Sequence, residues 1–545
     1  MGRLDYKWRV LISVIFGLFM VILDTTVVNV AFPTLRAEFK VGISDSQWII
    51  SIYVMALGIS TPLSAFMADR FGIKRTYVLG LLAFVAGSAI CGLAPSLPLL
   101  VAARALQGFG GGLALPLGTT LLFSAFSVEE QGLAFGVFGI ALVVAPALGP
   151  ILGGALVDHG DWRWIFFLNV PIGILGATLS LLWLRERKAE RPPRFDLLGF
   201  ITSTVGFGSA LYAASVASND GWTSPHVLIG FAVGGVSLLL FALIELFVAR
   251  EPLLNLRLFN IPVFTLATVV GWVSVLALFG AEFLLPLYLQ TLRGKTAFET
   301  GLILLPLAIA SGIVAPFSGR LYDLFGPRPI AVVGFGLLAV NTWQLSLLDA
   351  NTSITFLIFL LVIRGVALGL TVQTTLVTAL SRVPEREVAR ASSLSNATRQ
   401  IVQSIGVAVL ATVLVSTLSP QVKTLETQFQ QVAGVSTNNP IAQQFAKNGL
   451  CGVKIPAIPS GVAQGAGGPP PGVTSGAPTQ ALIDQACSES VKGYERAYQL
   501  TFYFALLAVA LGALLPGWPF RWQGRRKPST GADVEQAPPA SVATH

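Results

Sequence analysis

Fourteen apolar stretches, each about 20 residues long or more, follow one another along the 545-residue chain with mostly short polar links between them. They occupy 10-32, 47-67, 76-95, 98-123, 133-156, 164-184, 197-217, 226-248, 263-290, 301-321, 329-348, 353-379, 395-417 and 497-517. At 1.5 Å per residue, helices of that length cross a hydrocarbon core of roughly 30 Å. Within lipid only a helix or a closed barrel satisfies its own backbone, and these continuous runs lack a barrel's alternation. The expected fold class is therefore an all-α integral membrane protein with fourteen transmembrane helices. Composition agrees, since only 11% of residues are charged, against roughly a quarter in soluble domains. Arg3, Lys7 and Arg9 precede the first stretch as in a signal peptide, but the stretch is too long and lacks a small-residue cleavage site, so it reads as mature structure.

Basic residues set the orientation. Arg70, Lys74, Arg75, Arg185, Arg187, Lys188, Arg320, Arg328 and Arg525 fall on the side of the N-terminus, whereas the short links opposite hold Arg36, Lys40, Arg163, Arg293 and Lys295. Both termini are expected in the cytoplasm, with the chain a multi-pass protein of the cell (inner) membrane. The net charge of +8 reflects this bias, and no basic stretch is interleaved with aromatics, so no nucleic-acid partner is expected. The partners are lipid, small molecules and protons, and the protein is expected to be a monomer.

Two breaks divide the chain. A charged connector covers 185-196, and the segment 418-496 contains a Pro-, Gly- and Ser-rich middle that cannot bury enough apolar surface to fold alone. The tail 518-545 is expected to be disordered. Ala65-x-x-x-Asp69-Arg70-x-Gly72-x-Lys74-Arg75 is echoed by Gly319-x-x-x-Asp323-x-x-Gly326-x-Arg328 at an offset of about 254 residues, and Arg104 by Arg364 at about 260. Two ordered matches point to two related six-span halves, 1-184 and 263-517, with a connector and two inserted spans in 185-262.

Charges inside the apolar stretches carry the chemistry. Asp24 sits deep in the first span, where lipid penalises a carboxylate by several kcal/mol. Counting helical rise places Arg104 of the fourth span at a similar depth, with Gln107 on the same face, so all three are expected to face one cavity. Glu282 in the ninth span lies at a matching depth and is the second membrane carboxylate. Glu245 is placed at the interface beside Arg250, and Arg399, at the start of its span, at the cytoplasmic side. Burial raises a carboxyl pKa and a neighbouring Arg lowers it, a contest that makes a proton switch. Asn29, Gln107, Tyr53, Trp272, Phe279 and Tyr288 are candidates to line the cavity.

The duplicated loops are expected to latch helices together. Gly72 and Gly326 permit tight turns, Asp69 and Asp323 can accept hydrogen bonds from helix N-terminal amides or pair with Arg, and Lys74, Arg75 and Arg328 lie at the lipid surface. In the fifth span Pro146, Gly149, Pro150, Gly153 and Gly154 combine kinking with close packing, as a hinge would.

Other chemistries are absent from the pattern. His159, His226 and His545 stand alone, so no metal site is expected. Gly294-Lys295-Thr296 ends like a phosphate-binding loop, but Leu289 stands where its first Gly belongs, so no nucleotide is expected. No catalytic motif is found, the protein is not expected to be an enzyme, and no cofactor is called for beyond a proton gradient as energy source. Cys451 and Cys487 share the segment 418-496, and both a disulfide and two free thiols remain open.

LDTTVVNVAFP (23-33), ADRFGIKR (68-75), RALQGFGGG (104-112), APALGPILGG (145-154), DWRWIFFLNVPIG (161-173) and ASSLSNATRQIVQSIG (391-406) together resemble the major facilitator superfamily, and within it the fourteen-span drug and proton antiporters. Ala65 and Ile73 depart from the family's usual loop. The resemblance implies the major facilitator fold, two pseudo-symmetric six-helix bundles plus two inserted helices, around a central cavity with alternating access. It also implies proton-driven export, with Asp24 as the proton- and cation-sensing acid and Arg104 as the charge that tunes it. The expected function is thus proton-coupled export of amphipathic, often cationic drugs or toxic compounds. A dedicated exporter of an endogenous metabolite, lipid or siderophore, and a non-transporting ligand sensor, stand as alternatives.

Overall fold

The computed structural model of the chain describes residues 5–41, 43–159, 161–188, 193–372, 374–419, 421–422, 448–453 and 480–517. Among them the architecture is helical throughout: α1 (Tyr6–Phe39), α2 (Ile43–Phe71), α3 (Ile73–Leu93), α4 (Leu97–Ala125), α5 (Gln131–His159), α6 (Trp164–Phe167), α7 (Asn169–Trp183), α8 (Leu197–Asp220), α9 (Pro225–Leu243), α10 (Pro262–Leu287), α11 (Ala297–Phe325), α12 (Pro327–Leu345), α13 (Ile354–Thr371), α14 (Thr374–Leu380), α15 (Val388–Ser416) and α16 (Gln480–Gly512). All fourteen apolar stretches fall on these helices, with the sixth split into α6 and α7 and the twelfth into α13 and α14. Eleven described spans are long and apolar enough to cross a membrane by length and composition, fewer than the fourteen crossings expected. The other three are helical but differ in makeup: α12 carries Asn341, Thr342 and Gln344, α16 begins in a charged segment, and the apolar run of α10 is counted only over Pro262–Leu278. The 454–479 part of the Pro- and Gly-rich segment and the tail 518–545 lie outside the described residues.

Helical spacing of apolar residues builds the cores. Val14 and Leu18 of α1 meet Tyr77, Leu81 and Phe84 of α3 and Leu117 and Leu121 of α4 in one cluster. In another, Phe264 and Val270 of α10 pack with Phe335 and Leu338 of α12, Leu368 of α13 and Ala505 and Ala508 of α16. Leucines such as Leu79, Leu82, Leu182 and Leu228 point outward instead, as suits a chain whose solvent is hydrocarbon.

The first half, α1 to α7, and the last, α10 to α16, meet along two flanks. On one, α5 runs against α11 over its whole length, so closely that a Cβ on Gly319 would strike the Gly132 carbonyl, while at the other end Gly154 faces Phe298. On the other flank α2 meets α15, with the Ser64 and Ser393 hydroxyls 2.7 Å apart. The inserted helices α8 and α9 pack on each other, and α8 reaches both α2 and α15. Trp48 of α2 stacks on Tyr212 of α8 at 5.7 Å, and Trp222 Nε1 donates to Thr412 Oγ1 of α15 at 2.6 Å. The end of the bundle holding Tyr6, the connector and Gly512 is called the basic end below.

Cys451 and Cys487 are joined in a disulfide. It fastens a short turn at Leu450–Gly452 to α16, where Leu450 and Val453 pack on Leu289 and Leu292 beyond α10. Cys91 is free and buried.

Candidate functional site

Asp24 lies on α1 between Leu23 and Val27, both buried. The Arg104 guanidinium of α4 donates to its Oδ2, and Gln107 Nε2 and Asn169 Nδ2 donate to its Oδ1 at 2.7 and 2.9 Å. Arg104 is held in turn by the Ile49 carbonyl at 3.0 Å and Gln107 Oε1 at 2.7 Å, and it lies 4.1 Å above the Tyr53 ring. Ser88 accepts from Gln107 and Asn169 at 3.2 and 3.1 Å and donates to the Phe166 carbonyl at 2.8 Å. The helical spacing of Arg104 and Gln107 is what lets both reach α1. The sequence therefore correctly brings Asp24, Arg104 and Gln107 together. The expectation that they face a cavity is corrected: Asp24 is 0% exposed and Arg104 1%. Burying either ion alone costs several kcal/mol, and the pair is tolerated because attraction and hydrogen bonds satisfy both.

Glu282 presents the opposite picture. It is exposed, and no hydrogen bond or ion pair to it is found among the described residues. Arg364 of α13 and Arg399 of α15 are close enough to attract it, which places the carboxylate toward the interior of the bundle. Arg399 lies about 16 Å along α15 from its first residue. That corrects its expected place at the basic end, because α15 begins well before the apolar stretch does. Arg364, the repeat partner of Arg104, is 1% exposed, and its guanidinium donates to Thr342 Oγ1 at 3.2 Å and to the Ala277 and Leu278 carbonyls at 3.4 and 3.0 Å. Among the described residues no carboxylate is bonded to it.

The expected cavity residues separate. Asn29 is exposed on α1. Trp272 is half-buried, with Nε1 donating to Thr398 Oγ1 of α15 at 3.0 Å. Gln107 and Tyr53 belong instead to the closed cage, where the Tyr53 hydroxyl donates to the Val21 carbonyl at 3.2 Å. Tyr288 is buried at the end opposite the basic one, donating to the Asp349 carbonyl at 2.5 Å; its hydroxyl finds a partner there rather than in a cavity. The Phe279 side chain lies outside the described residues. A narrow cleft opens between α5, α11, α13 and α14, lined by Gly136, Ser311, Ser318 and Leu368 among others. It touches neither carboxylate and contains no charged group, so it is not taken as the site.

The duplicated loops do connect the halves. Asp323 Oδ1 and Oδ2 accept from the Gly132 and Leu133 amides at 3.0 and 3.2 Å, in the first turn of α5. Asp69 Oδ2 accepts from Arg390 of α15 at 3.1 Å. Gly72 has φ of 103° and Gly326 of 80°, backbone that favours glycine. Glu186 of the connector caps α3 by accepting from the Lys74 and Arg75 amides at 3.0 and 3.2 Å. Arg70 is exposed, and Arg328 Nε donates to the Leu515 carbonyl at 2.7 Å. In α5 the helix continues through Pro146 and Pro150. A Cβ on Gly149 would meet Thr26 of α1, one on Gly153 would lie 3.2 Å from the Val27 carbonyl, and one on Gly154 3.2 Å from the Phe298 amide of α11. The expected hinge helix is wedged between both halves.

Sequence reasoning overlooked Asn169, Ser88, Glu186 and Arg390. Asn169 stands in the 161-173 stretch, and an amide inside an apolar run was its available signal. Glu245, expected at the interface, is 2% exposed; Asp196 of α8 and the chain at Leu253 and Leu254 fold over it.

The chain matches the Major Facilitator Superfamily over residues 14–407. It is 36% identical over 403 residues to the MFS-type transporter YhcA of Bacillus subtilis, covering 74% of this chain and 76% of that protein. It is 30% identical to the lincomycin resistance protein LmrB of B. subtilis, over 74% of this chain and 85% of that protein, and 35% identical to the multidrug resistance protein Stp of Mycobacterium tuberculosis, over 75% and 76%. The inward-facing, unoccupied crystal structure of a bacterial homolog of the human lysosomal transporter Spinster shares the fold, with TM-score 0.54 and 17% identity over 94% of this chain and 98% of that one. These matches, with a helical membrane architecture and charges buried at matching places in two halves, establish that the chain belongs to the major facilitator superfamily and is a membrane transporter, not an enzyme.

Proposed function

We propose that the protein is a proton-coupled exporter of amphipathic, often cationic compounds, working by alternating access. Relatives named for lincomycin and multidrug resistance support the cargo class. The observation that carries the coupling is the contrast between the two membrane acids. Glu282 stands exposed with two Arg side chains near it and no bonded partner among the described residues, so it can exchange a proton for a cation without breaking any existing contact. Asp24 is locked on Arg104 in this conformation, with Gln107 and Asn169 donating to its other oxygen. Glu282 is therefore the exchange group here, and the Asp24 cage is the element that responds when the halves rock. Asp69 with Arg390, and Asp323 on the α5 amides, hold the basic end shut meanwhile.

The test is transport by purified protein in liposomes. An imposed pH gradient drives cationic cargo across the membrane, and a protonophore abolishes the effect. Export that continues unchanged after the gradient and potential are collapsed removes the coupling.

A further inference from the structure

A strip of polar side chains runs along α15. Asn396, Arg399 and Gln403 are half-buried and follow the buried Ser392 at helical spacing. Two neighbours fix the direction in which the strip faces. Ser392, about two turns before Arg399, donates to the Pro116 carbonyl of α4 at 3.0 Å. Gly406, about two turns after it, packs so closely on α10 that a Cβ there would strike the Leu276 side chain. Arg399 therefore looks into the space between α4 of the first half and α10 of the second. Asn396 Nδ2 is turned back onto the Ser392 carbonyl at 2.9 Å. No hydrogen bond or ion pair to the Arg399 guanidinium or the Gln403 amide is found among the described residues. Glu282 is the carboxylate within electrostatic reach of Arg399, and it is shared with Arg364. The Asp24–Arg104 pair neutralises itself. Two guanidiniums thus share one carboxylate, which leaves an excess positive charge between the halves among the described residues.

We propose that Arg399 is a cargo-binding residue that takes the carboxylate of a zwitterionic amphiphile, whose cationic end goes to Glu282. A guanidinium held away from bulk water is stabilised by an anion, and its forked N–H donors match a carboxylate in both spacing and plane. Gln403, one turn along the same strip, offers a further amide donor to that group. Arg364 is the less available of the two cations, because Thr342 and the Ala277 and Leu278 carbonyls already occupy it. Glu282 and Arg399 attract each other without closing an ion pair, so a molecule carrying both charges can settle one on each without displacing a bond. A cation alone would leave the Arg399 charge uncompensated and be repelled by it. An anion alone would meet the same objection at Glu282. This inference rests on the export reading and deepens it, by adding an acidic group to the cargo that Glu282 accepts.

The experiment measures equilibrium binding of two matched dyes to the full-length protein in lipid nanodiscs, by fluorescence polarisation at one pH, with empty nanodiscs as the blank. Rhodamine B carries a carboxylate and a xanthylium cation, and its ethyl ester is the cation alone. The wild type should bind the acid more tightly than the ester. Arg399→Gln should lose affinity for the acid by at least about tenfold more than for the ester, a selective loss that a merely structural role would not produce. Arg399→Lys, which keeps the charge, should retain a preference for the acid. Equal or weaker binding of the acid by the wild type overturns the proposal whether or not the variants fold. An equal loss of both dyes in Arg399→Gln, or no preference in Arg399→Lys, overturns it too. No gradient is present, so absence of proton coupling would leave the dye preference readable, and absence of the preference would leave the liposome test of export standing.

Discussion

Asp24 on α1 and Glu282 on α10 stand about 258 residues apart at matching places in the two halves, yet Asp24 is caged by Arg104, Gln107 and Asn169 while Glu282 is exposed and has no bonded partner among the described residues. Their repeat-related cations differ accordingly. Arg104 bonds a carboxylate, and Arg364 bonds two carbonyls and a hydroxyl. If Glu282 swung onto Arg364, the second half would close the same kind of ion pair that the first already has.

Glu282→Gln should reduce the initial rate of pH-gradient-driven transport in liposomes at least about tenfold. An exposed, unbonded side chain contributes little to folding, so thermal stability should stay within about 0.5 kcal/mol of the wild type. Full pH-driven activity in this variant would move the exchange to another acid.

Asp24→Ala should behave differently and damage the fold, because it leaves a buried guanidinium without its counter-ion, at about 3–5 kcal/mol. Replacing both partners, Asp24→Leu with Arg104→Met, should recover much of that loss. Thermal unfolding of the purified single and double variants measures the difference, and an unchanged midpoint in Asp24→Ala would show the cage to be energetically idle.

Asp69→Asn and Arg390→Gln should each increase labelling of cysteines placed in the α2–α15 contact at the basic end. The partly buried pair should show a coupling of about 1 kcal/mol in a double-mutant cycle. Additive effects would mean that the two residues act separately.

Gly72→Ala should lower stability by about 1–3 kcal/mol, since φ of 103° is strained for any side chain and the new methyl would also press on the Glu186 carboxylate. Truncating Glu186 to Ala should relieve only the second part. Folded yield and unfolding temperature report both.

Removing the disulfide with Cys451→Ser should cost about 2–4 kcal/mol in the part of the molecule it ties together, given its separation of 36 residues. Protease resistance of the segment around Leu450 checks it, and resistance equal to the wild type would show that packing of Leu450 and Val453 suffices.

Much of this arrangement was legible in the residues. Depth counting along two helices brought Asp24 to Arg104, because helical rise is uniform and lipid permits no other backbone. The duplicated Asp69 and Asp323 announced contacts at the basic end, but not their partners: Arg390 and the Gly132 amide come from far along the chain, and nothing local encodes them. Glu186 was hidden in a connector with no periodicity. Arg399 was misplaced because hydropathy marks where α15 becomes apolar, not where it begins. Exposure was the hardest property to read, since Asp24 and Glu282 have equally apolar neighbours and differ only in whether side chains from other helices converge on them.

The touching backbones of Gly132 and Gly319, together with the Gly154 and Phe298 contact at the far end, close the α5–α11 flank along its length like the spine of a book. Pages joined at a spine separate most at the opposite edge, which here is the one between α2 and α15. The helix pair without a repeat counterpart lies across that edge, touching both sides through α8, so the alternating access proposed above would have to slide or strain it. The extra helices are thus built into the seam between the two halves rather than added beside it.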